Sequence, residues 1–308
     1  MTSHAAVPAP ATSSRRHVGV VGAGRVGAVL AAALRAAGHT VVSAHGLSDA
    51  SRRRADELLP GVPLEPVAAV VERAELLLLA VPDDTLPGLV QGVARHGGFR
   101  PGQVVAHTSG RHGVTVLAPA AELGATTMAI HPAMTFTGTS RDLDRLAGTR
   151  FGVTAGESAR ADADALVKEL GGVPLAVDES DRDVYHAALA HGANHLVTLV
   201  ADAVTMLGRA GVDDPAATLR PLLQAALDNA LEHGAASLTG PVARGDAGTV
   251  TAHLRAISAV APDSVELYRA LARHTAARAV ADGRLRAGDA AGLLDALAQD
   301  GRTTTAST

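Results

Sequence analysis

The 308-residue chain contains no cysteine, which removes disulfides, thiolate nucleophiles and cysteine-based zinc sites from consideration. Aromatic residues make up 2% of it and tryptophan is absent, so it lacks the stacking platforms that single-stranded nucleic acids require. Charge of neither sign dominates: 27 Lys and Arg stand against 31 Asp and Glu, a formal net charge of −4. No global positive field recruits nucleic acid or an anionic membrane surface. No uninterrupted apolar run is long enough to span a bilayer. Lysine is nearly missing, with Lys168 the only one. The opening "MTSHAAVPAPATSSRR" is rich in Pro, Ala and Ser and has no apolar stretch of signal-peptide length. Residues 1–16 are therefore expected to be a disordered tail, as is "GRTTTAST" at 301–308. A cytoplasmic chain acting on a small molecule is what these exclusions leave, with apolar content of 47% to build a substantial core.

The first half alternates short apolar runs with helix formers. "HVGVV" (17–21) is a valine-rich run of the kind buried in parallel sheets. It leads into "GAGRVG", then into the helix former "AVLAAALRAAG", then into a second strand, "TVVSA". That strand, glycine turn, helix, strand context is what the dinucleotide fingerprint demands. Gly22 permits the tight turn, Gly24 lets a pyrophosphate approach the backbone, and Gly27 lets helix pack on strand. Arg25 and Val26 open the helix whose N–H groups face the phosphate. The second strand ends at Ser43 and His45, with Ser48 and the arginines Arg52, Arg53 and Arg54 beyond. Hydroxyls and guanidinium groups suit a 2′-phosphate where a carboxylate would repel it, so NADP is expected rather than NAD. Further strands are read at "AELLLLAVPDD", "GQVVAHTSG", "GATTMAIHPAM", "RFGVTAG" and "GGVPLAVD". Ligands of a doubly wound parallel sheet lie at the strands' carboxyl ends, which places Val81, Pro82, Thr108, Ser109 and His131 around one crevice.

From residue 179 helix formers take over to about 300, beginning with "DRDVYHAALAHGANHLVTLVADAVTMLGRAG". The expected plan is an α/β Rossmann domain over 17–178 followed by an all-α domain over 179–300. The motifs "GVVGAGRVG", "LLAVPDD", "HTSG", "AIHPAMTFTG", "HGANHLVTL" and "LTGPVARGD" together resemble the 6-phosphogluconate-dehydrogenase-like superfamily. More narrowly, the chain resembles bacterial Rossmann-like proteins with a C-terminal helical domain of unassigned function. That resemblance implies NADP-dependent hydride transfer on a small carboxylated carbonyl compound, with ketopantoate-like 2-keto acids leading. It also implies a homodimer joined through the helical domain. Oxidation of a prephenate-like hydroxy acid, suggested by "HPAM", and a non-catalytic NADP(H) sensor or scaffold are the alternatives.

Members of the superfamily commonly place a lysine and an asparagine one turn apart on the long helix. Asn194 matches the asparagine, but the position one turn earlier is Ala190, and Lys168 lies elsewhere. A histidine is then the candidate proton partner. His131, at a strand's carboxyl end before Pro132, is first choice, and His191, three residues before Asn194, is second. Ser109 could bind substrate or nicotinamide, or be the N-cap of the following helix. His191 and His195 are spaced for zinc, but no third ligand is evident and no metal is expected. Arg244, in "GPVARGD", could reach a substrate carboxylate, with Asp246 a helix cap.

Overall fold

The computed structural model describes residues 15–298. The tails read at 1–16 and 301–308 lie outside the described residues, apart from Arg15 and Arg16. By their contacts the chain divides into two compact units, the first ending at His191 and the second beginning at Gly192.

In the first unit, β1 (His17–Val21), β2 (Thr40–His45), β3 (Leu76–Leu79), β4 (Val104–His107), β5 (Thr126–Pro132), β6 (Arg150–Ala155) and β7 (Val173–Ala176) form one sheet. Its order is β2-β1-β3-β4-β5-β6-β7. Both faces are covered, which is why β3 can read as four consecutive, fully buried leucines. On one face α1 (Arg25–Ala36), α2 (Asp49–Leu58), α6 (Arg141–Leu146) and α7 (Glu157–Glu169) contribute Leu34, Leu58, Leu146 and Leu166 to the core. On the other, α3 (Val67–Arg73), α4 (Leu86–Arg95) and α5 (Ala118–Ala121) contribute Val70, Val90 and Ala120. Lys168 is exposed in the last turn of α7. The order of strands reverses between β1 and β3, the switch point at which such sheets open a crevice.

Two strands depart from the expected parallel sheet, since β7 runs parallel to the reversed β6. β6 pairs antiparallel with β5, with His131 opposite Gly152. The connection between β5 and β6 carries only the 6-residue α6, shorter than the crossover helix that usually joins parallel strands.

The long helix read from residue 181 onward also differs in detail. It consists of α8 (Arg182–Leu189), a π-helical turn (Ala190–Asn194) and α9 (His195–Arg209). α8 belongs with the first unit by contact. The second unit continues with α10 (Pro215–His233), α11 (Gly240–Arg244), α12 (Ala247–Val260), α13 (Val265–Ala281) and α14 (Ala287–Ala298). Its core is made by α12, α13 and α14 through Val250, Leu254, Ala276 and Leu293. Neither α9 nor α10 buries a residue. No helix among the described residues is long and apolar enough to cross a membrane.

Candidate active site

The glycine turn between β1 and α1 separates three tasks. Gly22 has φ +102° and sits against the Ala80 carbonyl, where any Cβ would collide. At Gly27 a Cβ would overlap the Gly22 carbonyl and approach Ala80 Cβ to 2.9 Å. Nothing stands within 4 Å of a Cβ placed on Gly24, so that position is open toward solvent. Gly24 is also the N-cap of α1 and supplies no side-chain acceptor, which leaves the amides of Arg25 and Val26 available to an anion. The turn is tied to β2 by the Gly22 and Ala23 amides, which donate to the His45 carbonyl at 3.0 and 2.8 Å. A diphosphate fits this arrangement: the tight glycines are where the fold needs them, and the open one is where the ligand would approach.

The residues beyond β2 are distributed differently from their spacing in the sequence. Ser43 is fully buried within the strand and cannot reach a ligand at its end. His45 is half-buried, with Nδ1 donating to the Glu65 carbonyl at 2.9 Å. Ser48 is the N-cap of α2, accepting from the Ser51 amide at 3.1 Å. Arg52 is held by Asp49 at 3.2 Å. Arg54 turns out to be the arginine that reaches inward. Its Nε lies 2.6 Å from where a Cβ on Gly138 would stand, and the Arg25 side chain lies 3.0 Å from the same point. The loop carrying Gly138 is held by the buried Asp142 carboxylate, which accepts from the Thr137 and Gly138 amides at 2.8 and 2.7 Å. Two arginine side chains therefore converge beside the start of α1.

At the ends of β3, β4 and β5 the polar residues gather. Val81 is half-buried and Pro82 exposed; Thr108 is half-buried. Ser109 is buried and its Oγ accepts from the His112 amide at 3.0 Å, so it holds the turn. His107 is fully buried; its Nδ1 accepts from the Ser109 amide at 3.2 Å, and its Nε2 donates to the Gly113 carbonyl at 2.8 Å. Burial brings its pKa from 6.5 to about 4, so it is a neutral fastener of the loop.

His131 stands among groups contributed by α8. Its Nδ1 is 3.0 Å from the Tyr185 hydroxyl, and its ring meets that of His186 edge-on at 6.0 Å between centroids. Burial, reinforced by His186 and Arg182, lowers its pKa to about 4. Behind this group Arg182 is only 1% exposed. Its guanidinium donates to Thr154 Oγ1 at 2.8 Å and to the carbonyls of Gly152 at 3.0 Å, Ser109 at 3.3 Å and Ala129 at 3.4 Å. One cation thus fastens α8 to β5, to β6 and to the turn after β4. Tyr185, His186 and Arg182 were missed in the sequence, because "RDVYH" reads as the ordinary start of an amphipathic helix. The spacing of Arg182 and Tyr185, one turn apart, was the only signal.

The remaining candidates lie at or beyond the division. His191 is the last residue of the first unit and is exposed; in the second unit Asn194 is exposed at the end of the π-helical turn. Arg244 is exposed at the end of α11, before Gly245 with φ +75°. Asp246 caps α12, accepting from the Thr249 amide at 3.0 Å.

Residues 4–132 match the family model of a Rossmann-like domain, and residues 149–275 match that of a domain of unknown function, DUF2520. No curated protein matches the chain in sequence. Among solved structures, it is similar to a candidate NADP oxidoreductase from Bacteroides fragilis, at 22% identity and a TM-score of 0.74, over 85% of this chain and 98% of that one. It is also similar to a reductive aminase from Aspergillus terreus in complex with NADPH and ethyl-5-oxohexanoate, at 18% identity and 0.62, over 88% and 96%. A third is pyrroline carboxylate reductase from Plasmodium falciparum with NADP bound, at 11% identity and 0.53, over 86% and 98%. At these identities the likeness is one of fold, and it extends over nearly the full length of each neighbour. The two family matches together cover most of the chain, which joins a Rossmann-like domain to a DUF2520 domain.

Proposed function

We propose that this chain is an NADP-dependent oxidoreductase that reduces a small carboxylated carbonyl compound, of the 2-keto-acid class, by hydride transfer. The observation that carries the reading is the open Gly24 position at the uncapped start of α1, in the unit whose strand ends also hold His131. The bound nicotinamide would supply the hydride. The chain's own residues hold the diphosphate on the Arg25 and Val26 amides and place a neutral imidazole at the crevice. A neutral imidazole with a pKa of about 4 acts on a substrate oxygen as a hydrogen-bond donor and not as a charged acid; triosephosphate isomerase uses a neutral histidine in this way.

NADP over NAD is supported by the convergence of Arg25 and Arg54 at Gly138 and by a histidine, His45, where an NAD site would carry a carboxylate. Arg52, occupied by Asp49, is replaced in this role by Arg54. The NADP or NADPH in the names of the three structural neighbours agrees with this. Arg244 and Asn194 are assigned to the substrate's carboxylate and carbonyl. The second unit is assigned to homodimerisation, supported by exposed Leu196, Val197, Leu222 and Leu231 on helices that bury nothing.

The test is the loss of NADPH absorbance with ketopantoate and related 2-keto acids, with NADH in parallel. Turnover with NADPH that disappears in His131→Ala while NADPH still binds is the expected result. Binding without turnover on any carbonyl would instead favour a sensor, the reading to which the lack of a lysine at Ala190 points.

A further inference from the structure

His131 has two ring nitrogens with different surroundings. Nδ1 faces the Tyr185 hydroxyl at 3.0 Å. Nε2 faces Gly110, where an added Cβ would stand 2.9 Å away, and it makes no hydrogen bond among the described residues. Which nitrogen carries the proton is decided by what the hydroxyl does. The phenol oxygen lies against β6 at Gly152, where a Cβ would stand 2.6 Å from it, and among the described residues its one hydrogen bond is the contact with His131 Nδ1. The Arg182 guanidinium carbon, 5.9 Å from the centre of the tyrosine ring, adds positive potential and no acceptor. The acceptor within reach of the Tyr185 proton is therefore His131 Nδ1. A nitrogen that accepts is unprotonated, and in a neutral ring the proton then sits on Nε2.

The same chain already holds one imidazole this way. His107 accepts at Nδ1 from the Ser109 amide and donates from Nε2 to the Gly113 carbonyl. In His107 both nitrogens are consumed by the backbone. In His131 the Nε2–H is left for something else.

We propose that Tyr185 is a positioning residue that fixes His131 as its Nε2–H tautomer, so that the site presents a hydrogen-bond donor to a substrate oxygen. This rests on the oxidoreductase reading above and narrows it to reduction of a carbonyl group. A carbonyl oxygen gains negative charge as hydride from the nicotinamide reaches its carbon, a donor aimed at it stabilises that charge, and the resulting alkoxide then takes a proton from water. A protonated imine would bring its own N–H against Nε2–H, donor against donor. An alcohol awaiting oxidation would need an acceptor at the same place. Gly110 and Gly152 belong to the device, since side chains there would displace His131, His186 and Tyr185.

The experiment is a long-range 15N–1H spectrum of the full chain labelled in its 14 histidines, taken near neutral pH without ligand. The His131 signals are identified by their absence in His131→Gln. The expected spectrum shows Nε2 protonated and Nδ1 as an unprotonated, hydrogen-bonded nitrogen. In Tyr185→Phe the Nδ1 resonance loses its hydrogen-bond shift, and the two nitrogens move toward the average of exchanging tautomers. A wild-type spectrum with the proton on Nδ1 would overturn the proposal and favour oxidation of a hydroxy acid. So would a Tyr185→Phe spectrum identical to wild type. The wild-type spectrum decides even if that variant does not fold. NADPH titration of the same sample keeps the questions apart: failure to bind removes the oxidoreductase reading, whereas binding with a proton on Nδ1 removes only the tautomer assignment.

Discussion

Gly24 and Gly27 lie three residues apart in one motif and differ in what a methyl group would meet. In Gly27→Ala the new carbon overlaps the Gly22 carbonyl, and overpacking of that kind costs about 1–3 kcal/mol. In Gly24→Ala it enters empty space, so stability should change by less than about 1 kcal/mol, the cost of a poorer N-cap. NADPH affinity should nevertheless fall by about tenfold or more, or ~1.4 kcal/mol. Urea melts and NADPH titrations of the two variants check this, and equal losses of stability would refute the division of labour. A second expectation concerns His107 and His131, whose pKa values fall from 6.5 in the unfolded chain to about 4 on folding. Between those values the unfolded chain binds more protons, so stability is complete above pH 6.5 and declines as pH falls toward 4. Going from pH 7 to pH 5 should cost on the order of 2 kcal/mol per histidine. Urea midpoints at the two pH values test it, with His107→Gln expected to flatten the dependence. At this scale the sequence was legible where backbone geometry compels a residue type, as at Gly22. It was not legible where a long side chain chooses its direction. Arg52 and Arg54 are two residues apart on one helix, yet one meets Asp49 and the other Gly138.

Among the elements, α8 is set by a single buried arginine. Removing Arg182 strips the donors from carbonyls on β5, β6 and the turn after β4 in one step. Buried polar groups left unpaired cost about 1–3 kcal/mol each, so Arg182→Met should lose at least about 3 kcal/mol in a denaturant titration. Arg182→Lys should recover little of it, because an ammonium cannot span the fork of acceptors that a guanidinium reaches. A near-neutral Arg182→Met would mean that α8 is held by something else. The strands themselves were readable from the sequence, because burial on both faces turns each into an apolar run between glycines. The direction of β6 was not, since an apolar run reads the same whichever way the strand points. The length of the connecting helix held that information. The π-helical turn was equally hidden: "AHGAN" has no composition that distinguishes a wider turn from an ordinary one, and it moves Asn194 off the face that His191 would share with it in an α-helix.

For the molecule as a whole, the two halves differ in how far their cores account for their residues. The first unit buries its sheet on both faces, whereas the second leaves Leu222, Leu227 and Leu231 of α10 exposed at 65%, 44% and 80%. Apolar residues gathered on one helix in this way are what an association surface would present, and the proposed homodimer would use them. The full chain is expected to sediment as a dimer, and Leu222→Glu combined with Leu231→Glu to sediment as a monomer; a monomeric wild type would refute the assignment. The sequence marked this half as helical through its composition, but exposure depends on how the helices pack within the unit, and its buried apolar cluster is built by α12, α13 and α14. The scarcity of lysine has a practical side. With no cysteine and Lys168 exposed on the last turn of α7, amine-reactive dyes have one side-chain target, and a cysteine introduced into α10 would be the sole thiol. Two fluorophores can therefore be placed at chosen points on the two units without first deleting any native residue, and energy transfer between them would report their separation one molecule at a time as NADPH is added.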